Sequence, residues 1–248
     1  MAKGFPVGAL GRQPAYRLAG HWLTVVWLAA PWLLALGLLV LGLSTLPSTA
    51  QAAQDSDRPV LLVMGDSLSA AYGIEQGTGW VSLLQARLDG KARVINASIS
   101  GETSRGAAAR LPDLLGQHEP DIVLLELGGN DGLRGLPPGQ FEANMADMIE
   151  ASQAAGAEVL LLGIDIPPNY GRAYRDAFTS VYTRLANDYD LLLVPFLLEG
   201  VALENELMQS DGIHPTAEAQ PRILENVWPK LAPLLEANGA VVAEIGQD

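Results

Sequence analysis

The feature that most restricts the fold of this chain is a series of short, continuously apolar runs, each followed by a segment of helical period. The runs are Pro59–Met64, Ala92–Ala97, Asp121–Leu127, Glu158–Ile164 and Leu191–Phe196. A strand with one face in water alternates apolar and polar residues, whereas a strand covered on both faces does not need to. Between the runs, apolar residues recur at spacings of three and four. Trp80–Leu88 carries Trp80, Leu83, Leu84 and Leu88, and Pro138–Ala155 carries Phe141, Met145, Met148 and Ile149. Thr103–His118, Arg172–Tyr189 and Thr216–Ala237 read as helices on the same ground. Buried strands alternating strictly with helices imply an α/β protein, a three-layer αβα sandwich around a five-stranded parallel sheet. In doubly wound sheets the working groups collect at the carboxyl ends of the strands. The residues just after each run are therefore where chemistry is to be sought.

The first fifty-odd residues do not share this pattern. Residues 1–21 hold Lys3, Arg12 and Arg17 and no acid, and Trp22–Leu46 is nearly all apolar. Ala50-Gln51-Ala52 then has the small-x-small form of a signal-peptidase site. The apolar run exceeds the usual signal core of about 7–15 residues and reaches the ~20 residues of a membrane-spanning helix. Residues 1–53 thus read as a signal peptide or an uncleaved membrane anchor. Either outcome puts the body outside the cytoplasm, released into the periplasm or held at the inner membrane. Residues 54–238 read as the folded body, and 239–248 as a loose tail without pattern.

Charge and composition narrow the chemistry. The leader contains three of the 15 basic residues and none of the 28 acidic ones, so the body has 12 against 28, a net −16. That balance excludes nucleic acid as a partner and limits any membrane contact to the N-terminal segment. With no cysteine, disulfides, thiolate metal sites and cysteine nucleophiles are all absent. The three histidines, His21, His118 and His214, are too few and too scattered for a histidine metal cluster. No metal or other cofactor is expected.

Four strand-end or loop segments hold the residues that could react. Ser67 follows the first run by three residues, and its roles are nucleophile or helix N-cap, a position serine favours. Its neighbour Asp66 reads as a turn or cap residue. Far downstream, Asp211-Gly212-Ile213-His214-Pro215 sets an acid and a histidine on one turn. An Asp there can accept Nδ1–H of the imidazole, fix its tautomer and stabilise the imidazolium. His214 is the one plausible base, since His21 lies in the leader and His118 in a polar connection. Pro215 suits the first turn of the closing helix. Asn130, in Gly128-Gly129-Asn130-Asp131, could donate its amide to an oxyanion, and Gly101 could offer a backbone N–H. Each of these is also an ordinary turn. Together with the Ser67 N–H they make an oxyanion hole for acyl transfer, in which one donor contributes about 2.7–4 kcal/mol. No Gly-x-Ser-x-Gly elbow occurs, which separates the chain from the α/β-hydrolases.

The blocks Gly65-Asp66-Ser67-Leu68-Ser69, Gly101, Gly128-x-Asn130-Asp131 and Asp211-x-x-His214-Pro215 resemble the SGNH (GDSL) hydrolase family. Met64–Gly73, Val94–Thr103, Leu125–Gly135, Ala173–Leu185 and Met208–Pro215 are similar to its bacterial thioesterase I/lysophospholipase L1 branch, which includes arylesterases. The resemblance implies a flavodoxin-like fold and cofactor-free hydrolysis of small acyl substrates: acyl-CoA thioesters, aryl and alkyl esters, and lysophospholipids. It implies motion of the loop Glu102–Gly106 on binding, and an acyl slot shaped by Leu133, Leu136, Pro168 and Tyr170. Two alternatives stand beside it: a carbohydrate O-acetylesterase of the same superfamily, and a non-enzymatic binding module on a flavodoxin-like scaffold. Apolar residues around the third and fourth runs lean against a sugar site, and the complete Ser/Gly/Asn/His set argues against a module. The oligomeric state is left open.

Overall fold

The computed structural model of the protein describes residues 58–242. Its strands are β1 (Val60–Gly65), β2 (Arg93–Asn96), β3 (Ile122–Glu126), β4 (Glu158–Leu162) and β5 (Leu192–Val194). They form one sheet in the order β2-β1-β3-β4-β5 with every pairing parallel. The helices are α1 (Trp80–Leu88), α2 (Ser104–His118), α3 (Gly129–Leu133), α4 (Pro138–Ala154), α5 (Arg172–Asp188) and α6 (Gln220–Ala237). Helix α1 packs on α6, while α2 packs on α4 and α4 on α5. Right-handed crossovers set these two groups on opposite faces of the sheet. The expected three-layer αβα sandwich is the observed fold.

Burial explains the unbroken apolar runs. Leu61, Leu62, Val63 and Met64 of β1 and Ile122 to Leu125 of β3 are fully buried, whereas edge strand β2 is only partly covered. Fully burying one such side chain stabilises the fold by roughly 1.5–3 kcal/mol. Phe141 of α4 stacks on Phe178 of α5 with centroids 4.5 Å apart, and Tyr182 of α5 meets Phe141 edge-on at 5.4 Å. Tyr182 also donates its hydroxyl to the Leu127 carbonyl at 2.7 Å, just beyond β3. The next residue, Gly128, has φ +123, and a Cβ there would lie 2.3 Å from the Tyr182 hydroxyl oxygen. Only glycine fits this bend, which directs the chain into α3 and so sets Asn130.

Three local expectations change. Residues 129–133, expected as a turn, form the short helix α3. The closing helix begins at Gln220 rather than Thr216, and Pro221, not Pro215, occupies its first turn. Pro215 is instead drawn into an antiparallel bridge with Met208. The tail is docked at its start, with Ala240 buried against the core. The leader and residues 243–248 lie outside the described residues. Among those described, no helix is long and apolar enough to cross a membrane.

The strand order reverses between β1 and β3, whose connections leave in opposite directions. The crevice outside the carboxyl ends of two such strands is where doubly wound sheets bind ligands. Ser67 follows β1 there, and Asn130 follows β3.

Candidate active site

At the end of β1 the chain has little room. A Cβ on Gly65 would lie 2.7 Å from both the Glu126 carboxylate and the Ser69 side chain. Beyond it, residues 67–73 run as consecutive turns, closed by Ala70 N–H to Asp66 C=O at 3.0 Å and Tyr72 N–H to Ser67 C=O at 3.2 Å. Ser67 therefore does not cap a regular helix, and its part-exposed hydroxyl faces the histidine loop.

That loop is a closed hairpin of backbone. Gln209 N–H donates to His214 C=O at 2.7 Å, beside the Met208–Pro215 bridge. Asp211 Oδ1 accepts the N–H groups of Ile213 (2.9 Å) and His214 (3.0 Å). Its Oδ2 lies 2.7 Å from His214 Nδ1, and His214 Nε2 lies 2.8 Å from Ser67 Oγ. The three residues are thus linked in the order Asp211–His214–Ser67. Partial burial pushes the Asp211 carboxyl up, but the hydrogen bonds and charge of His214 outweigh it and hold the group at about 2. Tyr72 covers the imidazole, with ring centroids 4.4 Å apart and planes tilted by 41°.

On the other side of Ser67, Asn130 donates Nδ2–H to Asp66 Oδ2 at 3.0 Å. Asp66 is buried, and its Oδ1 accepts Leu68 N–H at 3.0 Å. Burial pushes its carboxyl up to about 6, against the hydrogen bonds from Leu68 and Asn130. Beneath it lies Glu126, with no exposed surface, accepting the Ser69 hydroxyl at 2.7 Å and Asp66 N–H at 3.2 Å. Burial, then the charge of Asp66, raise Glu126 well above the usual carboxylate range. Of the two, Glu126 has the surroundings that more strongly favour the protonated form. Its Oε1 is buried without a hydrogen-bond partner, an isolation far less costly for a neutral acid than for an anion.

The Gly101 loop is fastened to the same centre. Ile99 N–H donates to Gly65 C=O at 3.1 Å, and Arg134 Nη2 donates to Gly101 C=O at 2.9 Å. Buried Asp131 of α3 accepts both N–H (2.9 Å) and hydroxyl (2.6 Å) of Ser104, the first residue of α2, and Asn144 of α4 donates to that hydroxyl at 2.9 Å. Gly101 and Asn130 are thus tied into one unit through Asp131 and Arg134. The stretch Glu102–Gly106 proves to be the capped start of α2, with Thr103 accepting from Gly106 N–H and Glu102 paired with Arg110 at 2.9 Å.

Two of the expected slot residues, Tyr170 and Leu133, meet each other, and Leu136 is held by Tyr174. Tyr170 donates its hydroxyl to Leu133 C=O at 2.7 Å, and Tyr174 donates to Leu136 C=O at 2.7 Å. Arg175 binds Asp165 and so anchors the segment containing the exposed Pro168 to α5. A cavity of about 140 Å3 lies beside the turn that carries Ser67, between Ser69, Gln76, Ser82, Asn96 and Ser98. A larger one, about 460 Å3, opens at the opposite edge of the sheet between Gly156, Glu158, Asp190 and Leu192, away from these groups. His118 ends α2 at that opposite edge, before β3 begins.

Reading the sequence missed several of these side chains. In the sequence Asp66 reads as a turn or cap residue, which its bond to Leu68 N–H supports, but its grip on Asn130 depends on a residue 64 positions away. Glu126 had one available signal, as a charge inside an otherwise apolar run. Asp131 stands in the Gly128-x-Asn130-Asp131 block without a role assigned there, and nothing in the sequence gives one to Ser104, Tyr72 or Gln209.

The model of the GDSL-like Lipase/Acylhydrolase family matches residues 63–221. Esterase TesA of Pseudomonas aeruginosa is 55% identical over 190 residues, 75% of this chain and 92% of that protein. Thioesterase 1/protease 1/lysophospholipase L1 of Escherichia coli is 49% identical over 175 residues, covering 71% of this chain and 84% of that one. The crystal structure of psychrotrophic esterase EstA from Pseudoalteromonas sp., inhibited by monoethylphosphonate, superposes with a TM-score of 0.68 at 46% identity, covering 71% of this chain and 98% of that one.

Proposed function

The chain belongs to the GDSL-like lipase/acylhydrolase family, and on that premise we propose that it hydrolyses acyl esters and thioesters, its substrates being aryl esters, acyl-CoA thioesters and lysophospholipids. It is a carboxylic-ester hydrolase. The observation that carries the site assignment is the Asp211–His214–Ser67 relay, with contacts of 2.7 and 2.8 Å.

Ser67 Oγ attacks the acyl carbonyl while His214 Nε2 takes its proton, and Asp211 holds the imidazolium formed. The oxyanion receives the Ser67 and Gly101 N–H groups and the second hydrogen of Asn130 Nδ2, whose first is engaged by Asp66. His214 then protonates the leaving alcohol or thiol, and the same base activates water to release the acid. Leu133, Leu136, Pro168 and Tyr170 form one wall of the acyl slot. Tyr72, Ile99 and Ile213, large apolar side chains with 50%, 47% and 39% exposure, stand next to His214 or on the Gly101 loop and favour an apolar substrate. The basic, apolar and small-residue order of residues 1–53 supports a body outside the cytoplasm, and cell fractionation with N-terminal sequencing tests it.

The test is turnover of p-nitrophenyl esters and acyl-CoA thioesters, from acetyl to palmitoyl, by the native protein and Ser67→Ala. The expected result is loss of at least about 10⁴-fold in kcat in the variant, with the native enzyme active on longer chains. Turnover limited to acetyl groups would favour a carbohydrate O-acetylesterase. Turnover independent of Ser67 would overturn the mechanism.

A further inference from the structure

Ser67 and His214 lie 147 residues apart in the chain and on separate loops, yet they must meet within a fraction of an ångström. The side chain of Gln209 spans that division. Its Nε2 donates to Tyr72 C=O at 2.8 Å, on the nucleophile turn, and to Pro215 C=O at 2.9 Å, on the histidine loop. Both amide hydrogens are thereby used, one on each side. Its backbone N–H meanwhile holds His214 C=O at 2.7 Å, and Tyr72 N–H holds Ser67 C=O at 3.2 Å. The path Ser67–Tyr72–Gln209–Pro215–His214 returns to Ser67 through the 2.8 Å contact of imidazole and hydroxyl. The Tyr72 ring closes the same circuit from above, against the imidazole.

We infer that Gln209 is a positioning residue, which sets the spacing of Ser67 and His214 by clamping the nucleophile turn to the histidine loop. The inference rests on the proposed roles of Ser67 and His214. The histidine loop does not need this side chain to close. Its Met208–Pro215 bridge, the Thr216 N–H to Leu207 C=O bond and the Gln209 N–H bond are all backbone, and Asp211 makes its own turn. What the side chain adds is the link across to Tyr72. The fit around it is close: Gly73 has φ +75, and a Cβ there would lie 2.2 Å from Gln209 Oε1. Gln209 Oε1 fills the space that a side chain at position 73 would take, which leaves Nε2 to the two carbonyls.

The test compares native protein, Gln209→Met, Gln209→Asn and Ser67→Ala on a p-nitrophenyl ester. Active sites are titrated with a p-nitrophenyl phosphonate, and thermal midpoints are measured in parallel. Methionine fills the space without donors, and asparagine keeps the amide on a shorter stem that reaches at most one carbonyl. The expected result is kcat per titrated site lower by about 10–100-fold in Gln209→Met, the size of loss a misplacement near 1 Å produces. Gln209→Asn falls between, KM stays within about twofold, and the folded fraction is unchanged. A purely structural residue would lower the thermal midpoint and the number of titratable sites while leaving kcat per site native. That result, or failure of both variants to fold, would overturn the inference. Full turnover in Ser67→Ala would instead remove the reading beneath it, so the two failures are told apart.

Discussion

Two aspartates flank Ser67, the proposed nucleophile, and the structure treats them in opposite ways. Asp211 sits on a backbone hairpin with 39% of its side chain exposed and three hydrogen bonds from its own turn, which hold its carboxyl at about 2. Asp66 sits at the mouth of the sheet with 2% exposure, above a second buried acid, and is pushed up to about 6. Asp211 is stabilised as an anion by the hydrogen bonds and charge of the histidine that the proposed mechanism makes a cation. The other is an anion at a cost, and what it gains for the site is the orientation of Asn130. Charge near the base is supported by local hydrogen bonds; charge near the oxyanion hole is imposed by packing.

Breaking the local side has the larger effect on turnover. Asp211→Asn leaves the loop's backbone hydrogen bonds available through its amide oxygen but cannot accept Nδ1–H in the same way. We expect kcat lower by about 10³–10⁴-fold with little change in KM, read in steady-state kinetics. The stability it contributes is small because the group is part exposed. Its sign follows from a folded value below the ordinary 3.8: the contribution is present above pH ~3.8 and lost as pH falls through about 2.

Breaking the packed side separates activity from stability. Asp66→Asn keeps an acceptor for Leu68 N–H and turns an amide N–H₂ toward Asn130, which then has to rotate its donor away. The expected loss in kcat is about 10²-fold, that of one oxyanion donor. The same variant is expected to be more stable near neutral pH. With a folded value of about 6 against 3.8, the unfolded chain releases its proton first. Native stability therefore falls as pH rises from ~4 to ~6, by on the order of 3 kcal/mol. The stability of the native protein in denaturant unfolding should decline more steeply with pH than that of Asp66→Asn, which keeps only the part due to Glu126, also raised by burial. An equal decline in both proteins would remove Asp66 from the account.

The smallest effect tests the support rather than the site. Tyr182→Phe removes the donor to Leu127 C=O and leaves a buried carbonyl short of a partner, worth about 1–3 kcal/mol. The thermal midpoint should drop by roughly 2–4 °C per kcal/mol for a domain of this size. Turnover should stay within a few-fold, because Phe141 still fills the space beneath Gly128.

Much of this architecture could be read before any coordinates. The five strands were legible because strands covered on both faces carry almost no polar residues, as β1 shows throughout and β3 up to Glu126. The Asp211–His214 pair was legible because an i, i+3 spacing on one turn brings the groups together whatever surrounds them. Helix α3 was not. Gly129-Asn130-Asp131-Gly132 has the composition of a turn, and it is helical because buried Asp131 grips Ser104 and Gly132 lies under Ile166, where even a Cβ would come within 2.4 Å. The start of α6 was misplaced for a similar reason: Pro215 suits a first turn, but the bridge to Met208 claims it.

The sequence by itself determined the parallel sheet and singled out the serine, histidine and acid that the fold brings together. These depend on hydrophobic period and on neighbours within one turn, which are local properties of the chain. Only the tertiary structure decided that Asp66 is buried over Glu126, that Asp131 joins two loops, and that Gln209 spans the serine and histidine segments. Desolvation and hydrogen bonding across 27, 60 or 137 positions depend on what the fold brings alongside, and no spacing along the chain encodes it.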